Sequence, residues 1–197
     1  MGTRGTLHVY LNDELKVRQY NQYDSYPTGQ FKDICDFLSN EDNLCRLADR
    51  LKVTRFFTKE EFEEALKFES TGICKSDYGH IRKVTSILFL MNRDYGSNIL
   101  NQIICMCRNL DMDEYPKYRF AIPDWTMAPF EGEELDKEEG NYEIRIRTGP
   151  EELKDGEGYK VHFVISGDWH GLEHEFPEDY IPTQKEIEEW EQEDNYN

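Results

Sequence analysis

The stretch Thr6-Leu-His-Val-Tyr-Leu-Asn-Asp-Glu-Leu-Lys-Val-Arg-Gln-Tyr-Asn-Gln22 decides the fold of this chain. Apolar and polar residues alternate on both sides of Asn12 and Asp13, as they do along strands with one buried face. Asparagine and aspartate tolerate the positive φ angles of a two-residue turn. The sequence therefore predicts an opening β-hairpin with strands over residues 6–11 and 14–22.

The residues after this hairpin change from alternation to helical periodicity. Gly29 to Leu38 and Leu44 to Leu51 place apolar residues three or four positions apart. Tyr78 to Asn92 and Tyr95 to Cys107 carry the most apolar helical patterns in the chain. We therefore expect a central group of helices.

Two capping boxes mark further helix starts. Thr58 precedes Glu61, and Thr183 precedes Glu186, each at the spacing that lets the two side chains satisfy the free N–H groups of a first turn. The second pattern predicts a short last helix, after which residues 191–197 should fray.

The second half of the chain reads as strands. Tyr118 to Ile122, Tyr142 to Arg147 and Tyr159 to Ile165 are rich in β-branched and aromatic residues and are bounded by turn-forming residues. Between the first two, Glu131 to Glu139 is expected to be an acidic, solvated loop up to about residue 140. With no repeat and no linker, residues 1–197 are predicted to form one α+β domain, with an antiparallel sheet opened by the N-terminal hairpin.

Composition narrows the class of partner. The net charge is −18, which repels phosphate backbones and anionic bilayers, so neither nucleic acid nor a membrane is an expected partner. The longest apolar run, Val84 to Met91, is too short to span a bilayer. Five cysteines, an odd number without a signal peptide, indicate free thiols in a cytoplasm. No cofactor is expected.

The richest stretch for recognition is Arg18 to Gln30, which joins three tyrosines, amides and a carboxylate before a helix start. Rings stack, amides read donor and acceptor patterns, and a helix N-terminus favours anions. The alternative is that the tyrosines pack and that Asp24 or Ser25 caps the next helix. The predicted ligand-binding residues are Arg4, Tyr20, Asn21, Gln22, Tyr23, Asp24, Ser25, Tyr26, Arg93 and Asp94.

Gly2-Thr-Arg-Gly5, Lys16-Val17 and Tyr20-Asn-Gln-Tyr-Asp-Ser-Tyr-Pro27 resemble the opening of a family of uncharacterised bacteriophage and microbial proteins. Arg93-Asp94-Tyr95-Gly96 is similar to a second element of that family. The resemblance covers about the first 30 residues and implies no activity. The chain departs from it at Gln22-Tyr23, where relatives often carry His or Trp. If it is phage-encoded, the resemblance implies a place in the host cytoplasm.

Arg4 lies between small residues and is expected either to clamp an anion in bidentate fashion or to form a buried pair with Asp24 or Asp94. A second cluster, Asp168 to Glu175, holds two histidines four positions apart beside carboxylates. It lacks the H-E-x-x-H order, and flanking Gly and Pro residues favour a loop. No metal site is expected there.

No nucleophile elbow, phosphate loop, dinucleotide fingerprint or kinase motif occurs in the sequence. We therefore favour binding over catalysis. The leading hypothesis is a protein that binds a small anionic or nucleotide-like ligand, as in phage counter-defence by sequestration of an immune signal. One alternative is a hydrolase-type enzyme for a similar ligand, with Asp24 as acid or base and Arg4 as clamp. Another is an acidic mimic that blocks a host protein through residues 131–139 and 186–194.

Overall fold

The computed structural model describes residues 3–63, 96–109, 120–124, 140–149 and 160–193. Its strands are β1 (Gly5–Leu11), β2 (Glu14–Asn21), β3 (Arg55–Phe56), β4 (Ala121–Ile122), β5 (Gly140–Thr148), β6 (Val161–Trp169) and β7 (Leu172–Glu175). Its helices are α1 (Lys32–Leu38), preceded by a π-helical turn (Pro27–Phe31), α2 (Glu41–Leu51), α3 (Asn98–Asn109) and α4 (Gln184–Glu193). None of the described helices is long and apolar enough to cross a bilayer.

The main sheet has five strands in the order β2-β1-β5-β6-β7, and β3 and β4 form a small second sheet. This arrangement confirms the α+β class and the opening hairpin. Three of the four ladders in the main sheet are antiparallel, as expected. The exception is β1 with β5, which run parallel, with Gly5 opposite Gly140. These two strands are distant in sequence, so no hairpin forces them to be antiparallel.

The predicted hairpin turn is also tied to β5, the other neighbour of β1 in the sheet. Asn12 and Asp13 have φ angles of 50° and 66°, the left-handed values that a two-residue turn requires. The Asn12 N–H donates to the carbonyl of Ile146 at 2.9 Å, and the Thr148 N–H donates to Asn12 Oδ1 at 3.1 Å. The turn therefore fixes the end of β5 as well as joining β1 to β2.

The sheet has one apolar face and one polar face because side chains alternate along each strand. Apolar residues of β1, β5 and β6 are fully buried with residues of the helices, and they include Leu7, Val9, Tyr142, Ile144, Ile146 and Ile165. From α4, Trp190 packs edge-on against Phe31, with ring centroids 5.1 Å apart. The helices thus gather on one face, and the other face keeps its polar residues.

Both capping boxes are confirmed. The Thr58 N–H donates to Glu61 Oε2 at 2.9 Å, and the Glu61 N–H donates to Thr58 Oγ1 at 3.2 Å. The Thr183 N–H donates to Glu186 Oε2 at 2.7 Å, with the return bond at 3.3 Å. The last helix, α4, continues to Glu193, so the first residues of the segment expected to fray are helical, and residues 194–197 lie outside the described residues.

Some expected elements differ. Asp168 to Glu175 is not a loop: β6 and β7 form a hairpin around His170 and Gly171, whose φ angles are 52° and 85°. Of the strand expected over residues 118–122, the structure shows β4, preceded by Phe120 with a φ of 59°, and residues 118 and 119 lie outside the described residues. The predicted helix at residues 78–92 and acidic loop at 131–139 lie outside the described residues.

Candidate functional site: a polar groove across four strands

The residues predicted from the N-terminal segment lie at different depths. Tyr20, on β2, is only 4% exposed, and its hydroxyl donates to Gln22 Oε1 at 2.7 Å. Tyr23 is 61% exposed, and Tyr26 is half-buried against the core. The three rings therefore do not contribute equally to one surface, and Tyr23 is the one most available to a ligand.

Ser25 belongs to a buried hydrogen-bond network. Its hydroxyl accepts from Asn21 Nδ2 at 3.0 Å and donates to Gln30 Oε1 at 3.2 Å. Its carbonyl accepts from the Tyr142 hydroxyl at 2.6 Å, and burial raises the pKa of that hydroxyl. Buried polar groups in such networks hold a fold in one arrangement. Ser25 and Asn21 thus serve packing, and the capping role considered for Asp24 or Ser25 is wrong, because neither the Pro27–Phe31 turn nor α1 has a side-chain cap hydrogen bond.

The helix start after this segment already holds an anionic group. The Thr28 N–H donates to Glu191 Oε2 at 2.7 Å, so a carboxylate from α4 uses a first-turn donor of the Pro27–Phe31 turn. Asp24 is exposed with a φ of 58°, and its carbonyl accepts from the Gln30 N–H at 2.9 Å. The negative charge of Asp24 raises the pKa of Tyr26.

Arg4 is half-buried, and its carbonyl accepts from the Gly140 N–H at 3.1 Å. Among the described residues, Arg4 and Asp24 form no ion pair. Arg93 and Asp94 lie outside the described residues, but Gly96 two positions later lies against the end of β2. Its N–H donates to the Tyr20 carbonyl at 3.4 Å, and the grouping of Arg93 and Asp94 with the N-terminal residues stays a prediction.

The polar face of the sheet carries a groove of about 600 Å³. Its lining comes from four strands and comprises His8, Asn141, Glu143, Ser166, Gly167, Asp168, Glu173, His174 and Glu175. The volume is in the range of small-molecule sites. None of these positions is among the binding residues predicted from the sequence.

Strand register arranges the groove in two rows. His8, Glu143, Ser166 and Glu175 are successive partners across β1, β5, β6 and β7. Thr6, Asn141, Asp168 and Glu173 form the next row in the same way. Neighbouring strands are about 4.8 Å apart, so each row spans about 14 Å. The floor of the groove is therefore a rigid sheet.

The groove is negatively charged. Glu143 pairs with Arg145 at 2.8 Å, and Asp168 Oδ1 accepts from the Gly171 N–H at 2.7 Å. Glu173 and Glu175 are exposed and form no ion pair with any described residue. The β7 side of both rows thus ends in a carboxylate that has no cationic partner within the described residues.

His8 closes the other end of the first row. Burial lowers the pKa of His8 below its usual value, and the positive charge of Arg18 lowers it further. The negative charges of Glu143 and Asp124 act in the opposite direction but do not cancel the shift. Arg18 itself pairs with Asp124 at 3.4 Å. His8 is therefore neutral at neutral pH and adds a hydrogen-bonding group without a positive charge.

The two histidines of the Asp168 to Glu175 segment are directed to different neighbours. The His170 ring lies edge-on to the Trp169 ring, with centroids 4.3 Å apart, and the His174 ring is tilted against the Phe176 ring, with centroids 4.7 Å apart. The described residues include no cluster of three or more His, Cys, Asp or Glu side chains suited to a metal ion. The groove's chemistry is hydrogen bonding and attraction of positive charge.

No family model, curated protein or solved structure with which the chain was compared matches it. The resemblance of its N-terminus to phage and microbial proteins therefore remains a prediction.

Proposed function

We propose that this protein binds a small, positively charged ligand in the polar groove and does not transform it. The observation that carries the proposal is the pair of rows across β1, β5, β6 and β7, which end in the carboxylates of Glu173 and Glu175, unpaired within the part of the chain that the structure describes. Ser166, His8 and Asn141 supply uncharged hydrogen-bonding groups beside them. Together these groups suit amines or guanidinium groups carried on a polar frame.

Magnitudes limit what the ligand can be. One exposed ion pair contributes about 0.2–1 kcal/mol, whereas a micromolar dissociation constant corresponds to about 8 kcal/mol. A single ammonium group is therefore too little. The ligand needs at least two cationic or hydrogen-bonding groups that reach both rows at once.

The nucleotide-like ligand expected from the sequence is a second candidate and requires a different surface. Phosphates would be repelled by the carboxylates of the groove. The surface that favours this candidate includes Tyr23, whose exposed ring can stack on a base. It also includes the end of β2, where the Gly96 N–H donates to the Tyr20 carbonyl. A counter-defence role by sequestration depends on this second surface.

Calorimetry with agmatine and spermidine tests the proposal. The variant Glu173→Gln/Glu175→Gln removes two groove carboxylates, and both positions are exposed, so folding should be retained. Its matched control is Glu188→Gln/Glu189→Gln, which changes the net charge equally on the exposed side of α4. We expect the groove variant to bind at least about tenfold more weakly and the control to change less than about twofold.

Equal loss in both variants, or no binding of either probe to the wild type, would contradict the groove as the site. AMP tested against wild type and Tyr23→Ala examines the second candidate. Mass balance separates binding from the enzyme alternative: a binding protein returns its ligand intact after denaturation, whereas a hydrolase returns product.

A further inference from the structure

β7 forms one edge of the five-stranded sheet. Its exposed residues are Glu173, His174 and Glu175, so solvent reaches the edge along most of the strand. The hairpin closes at Trp169 opposite Leu172, and the Phe176 N–H donates to the Ile165 carbonyl at 3.0 Å. Among the described residues, β7 is thus paired with a strand on one side only, that of β6.

The direction of the β7 backbone groups follows from that pattern. In an antiparallel ladder, hydrogen-bonded pairs alternate with non-bonded pairs. Because Phe176 bonds to Ile165, His174 is also a bonded position, and Glu173 and Glu175 lie at the alternate ones. Their N–H and C=O groups therefore point away from β6, and they have no hydrogen-bond partner among the described residues.

Glu173 and Glu175 thus present two kinds of recognition group at one place. Their backbones offer two donors and two acceptors at the edge, and their side chains end the two rows of the groove. We infer that the cationic ligand is part of an extended basic segment of a partner protein, which adds to β7 as a further strand. This inference rests on the proposed function, because it places the cationic groups that the groove binds on the side chains of a partner protein.

The charges of the edge select the partner. Two copies of β7 side by side would bring like-charged carboxylates together, so pairing with a second copy of this chain is disfavoured. A segment with Lys or Arg at alternate positions would instead direct its side chains to Glu173, Glu175 and the neighbouring Asp168. Since alternate residues are about 6.8 Å apart along a strand, five to seven residues cover the edge.

The test compares peptides with free cations on the full-length protein. The probe is an acetylated and amidated seven-residue peptide that alternates lysine and threonine, and its control has N-methyl groups on the backbone amides that would bond to β7. Both carry the same charge, but the control cannot complete the ladder. Agmatine is measured alongside. We expect the unmodified peptide to bind at least about tenfold more tightly than either the N-methylated peptide or agmatine.

The outcomes separate the two proposals. Equal affinity of the two peptides would overturn strand addition and leave the cation-binding groove intact. Binding of agmatine without binding of the peptide would do the same. Failure of all the probes would overturn the groove as well. The variant Glu173→Pro should weaken the peptide more than Glu173→Gln does, because only proline removes an outward N–H, whereas the two variants should weaken agmatine equally, after circular dichroism has shown that both fold.

Discussion

Asp179 holds the turn after β7 against β6 through both of its carboxylate oxygens. Oδ1 accepts from the Phe163 N–H at 3.0 Å, and Oδ2 lies 2.7 Å from His162 Nδ1. Burial alone would raise the pKa of the Asp179 carboxyl, but the hydrogen bonds from His162 and Phe163 outweigh it, and the pKa is lowered. The ionised form is thus the one that the fold favours.

A lowered pKa in the folded state makes the stabilisation by Asp179 dependent on pH. It is fully present above the unfolded pKa of about 3.9 and is lost as the pH falls through the lower folded value. We expect Asp179→Asn to reduce the free energy of unfolding by about 0.5–1.5 kcal/mol at pH 7. The difference from wild type should shrink below about pH 4, as measured by urea unfolding.

Asp13→Asn is the matched control, because Asp13 also has a positive φ angle but pairs only loosely with Arg147, at 4.0 Å. It should change stability by less than about 0.5 kcal/mol. A loss for Asp179→Asn that stayed constant from pH 7 to pH 2 would contradict the role given to the ionised carboxylate.

Cys35 is a buried thiol of α1, and burial raises its pKa to about 12. At pH 8 only about one molecule in 10⁴ then carries the reactive thiolate. We predict that iodoacetamide labels Cys35 in the native protein at least about 100-fold more slowly than in urea, as followed by peptide mass spectrometry. Cys45, which is half-buried, should label faster than Cys35; the reverse order would mean that α1 opens readily.

At the scale of elements, the sequence predicts those elements whose signals come from residues close together in the chain. The β1–β2 hairpin and both capping boxes depend on residues within a few positions of each other, such as Asn12 with Asp13 or Thr183 with Glu186. The β6–β7 hairpin is not predicted, because His170-Gly171 is not among the strong turn dipeptides. The flanking Gly167 and Pro177 favour a loop instead. The hairpin's two-residue turn is nevertheless flanked by alternating residues, a signal that was available.

The parallel pairing of β1 with β5 lies beyond such local signals. Gly5 and Gly140 are paired in the sheet although they are far apart in sequence, and both have Ser25 close by. The groove depends on the same pairing, since His8 meets Glu143 only through it. The sequence shows the alternation of polar and apolar residues within each strand. It does not show which strands become neighbours in the sheet.

Glycine at position 140 is required by this junction. A Cβ there would lie 2.3 Å from the Ser25 carbonyl oxygen and 3.0 Å from the Tyr142 hydroxyl. We expect Gly140→Ala to lower the free energy of unfolding by about 3 kcal/mol or more, since backbone would have to move. Gly149→Ala should cost less than about 1 kcal/mol, because the one atom of the described residues that its Cβ would meet is the Lys160 carbonyl oxygen, at an ordinary 3.6 Å. Similar unfolding midpoints for the two variants would contradict the close approach of the Ser25 carbonyl to the start of β5.

At the scale of the whole molecule, the net charge of −18 attracts cations from every side. A general field and a built site differ in whether cation binding depends on the position of individual charges. Both weaken as salt rises, but only a site depends on particular carboxylates. We predict that raising NaCl from 50 to 500 mM weakens spermidine binding by about tenfold, and that Glu173→Gln/Glu175→Gln reduces this salt dependence. Unchanged salt dependence in that variant, measured by calorimetry, would indicate that the field alone binds the cation.

The most direct test of the groove is a ¹⁵N–¹H chemical-shift titration with agmatine. The account predicts that the largest shifts occur at the backbone amides of the first row, His8, Glu143, Ser166 and Glu175, and at Glu173 beside them. Shifts concentrated in residues 20–26, or spread evenly over the acidic side of α4, would contradict it.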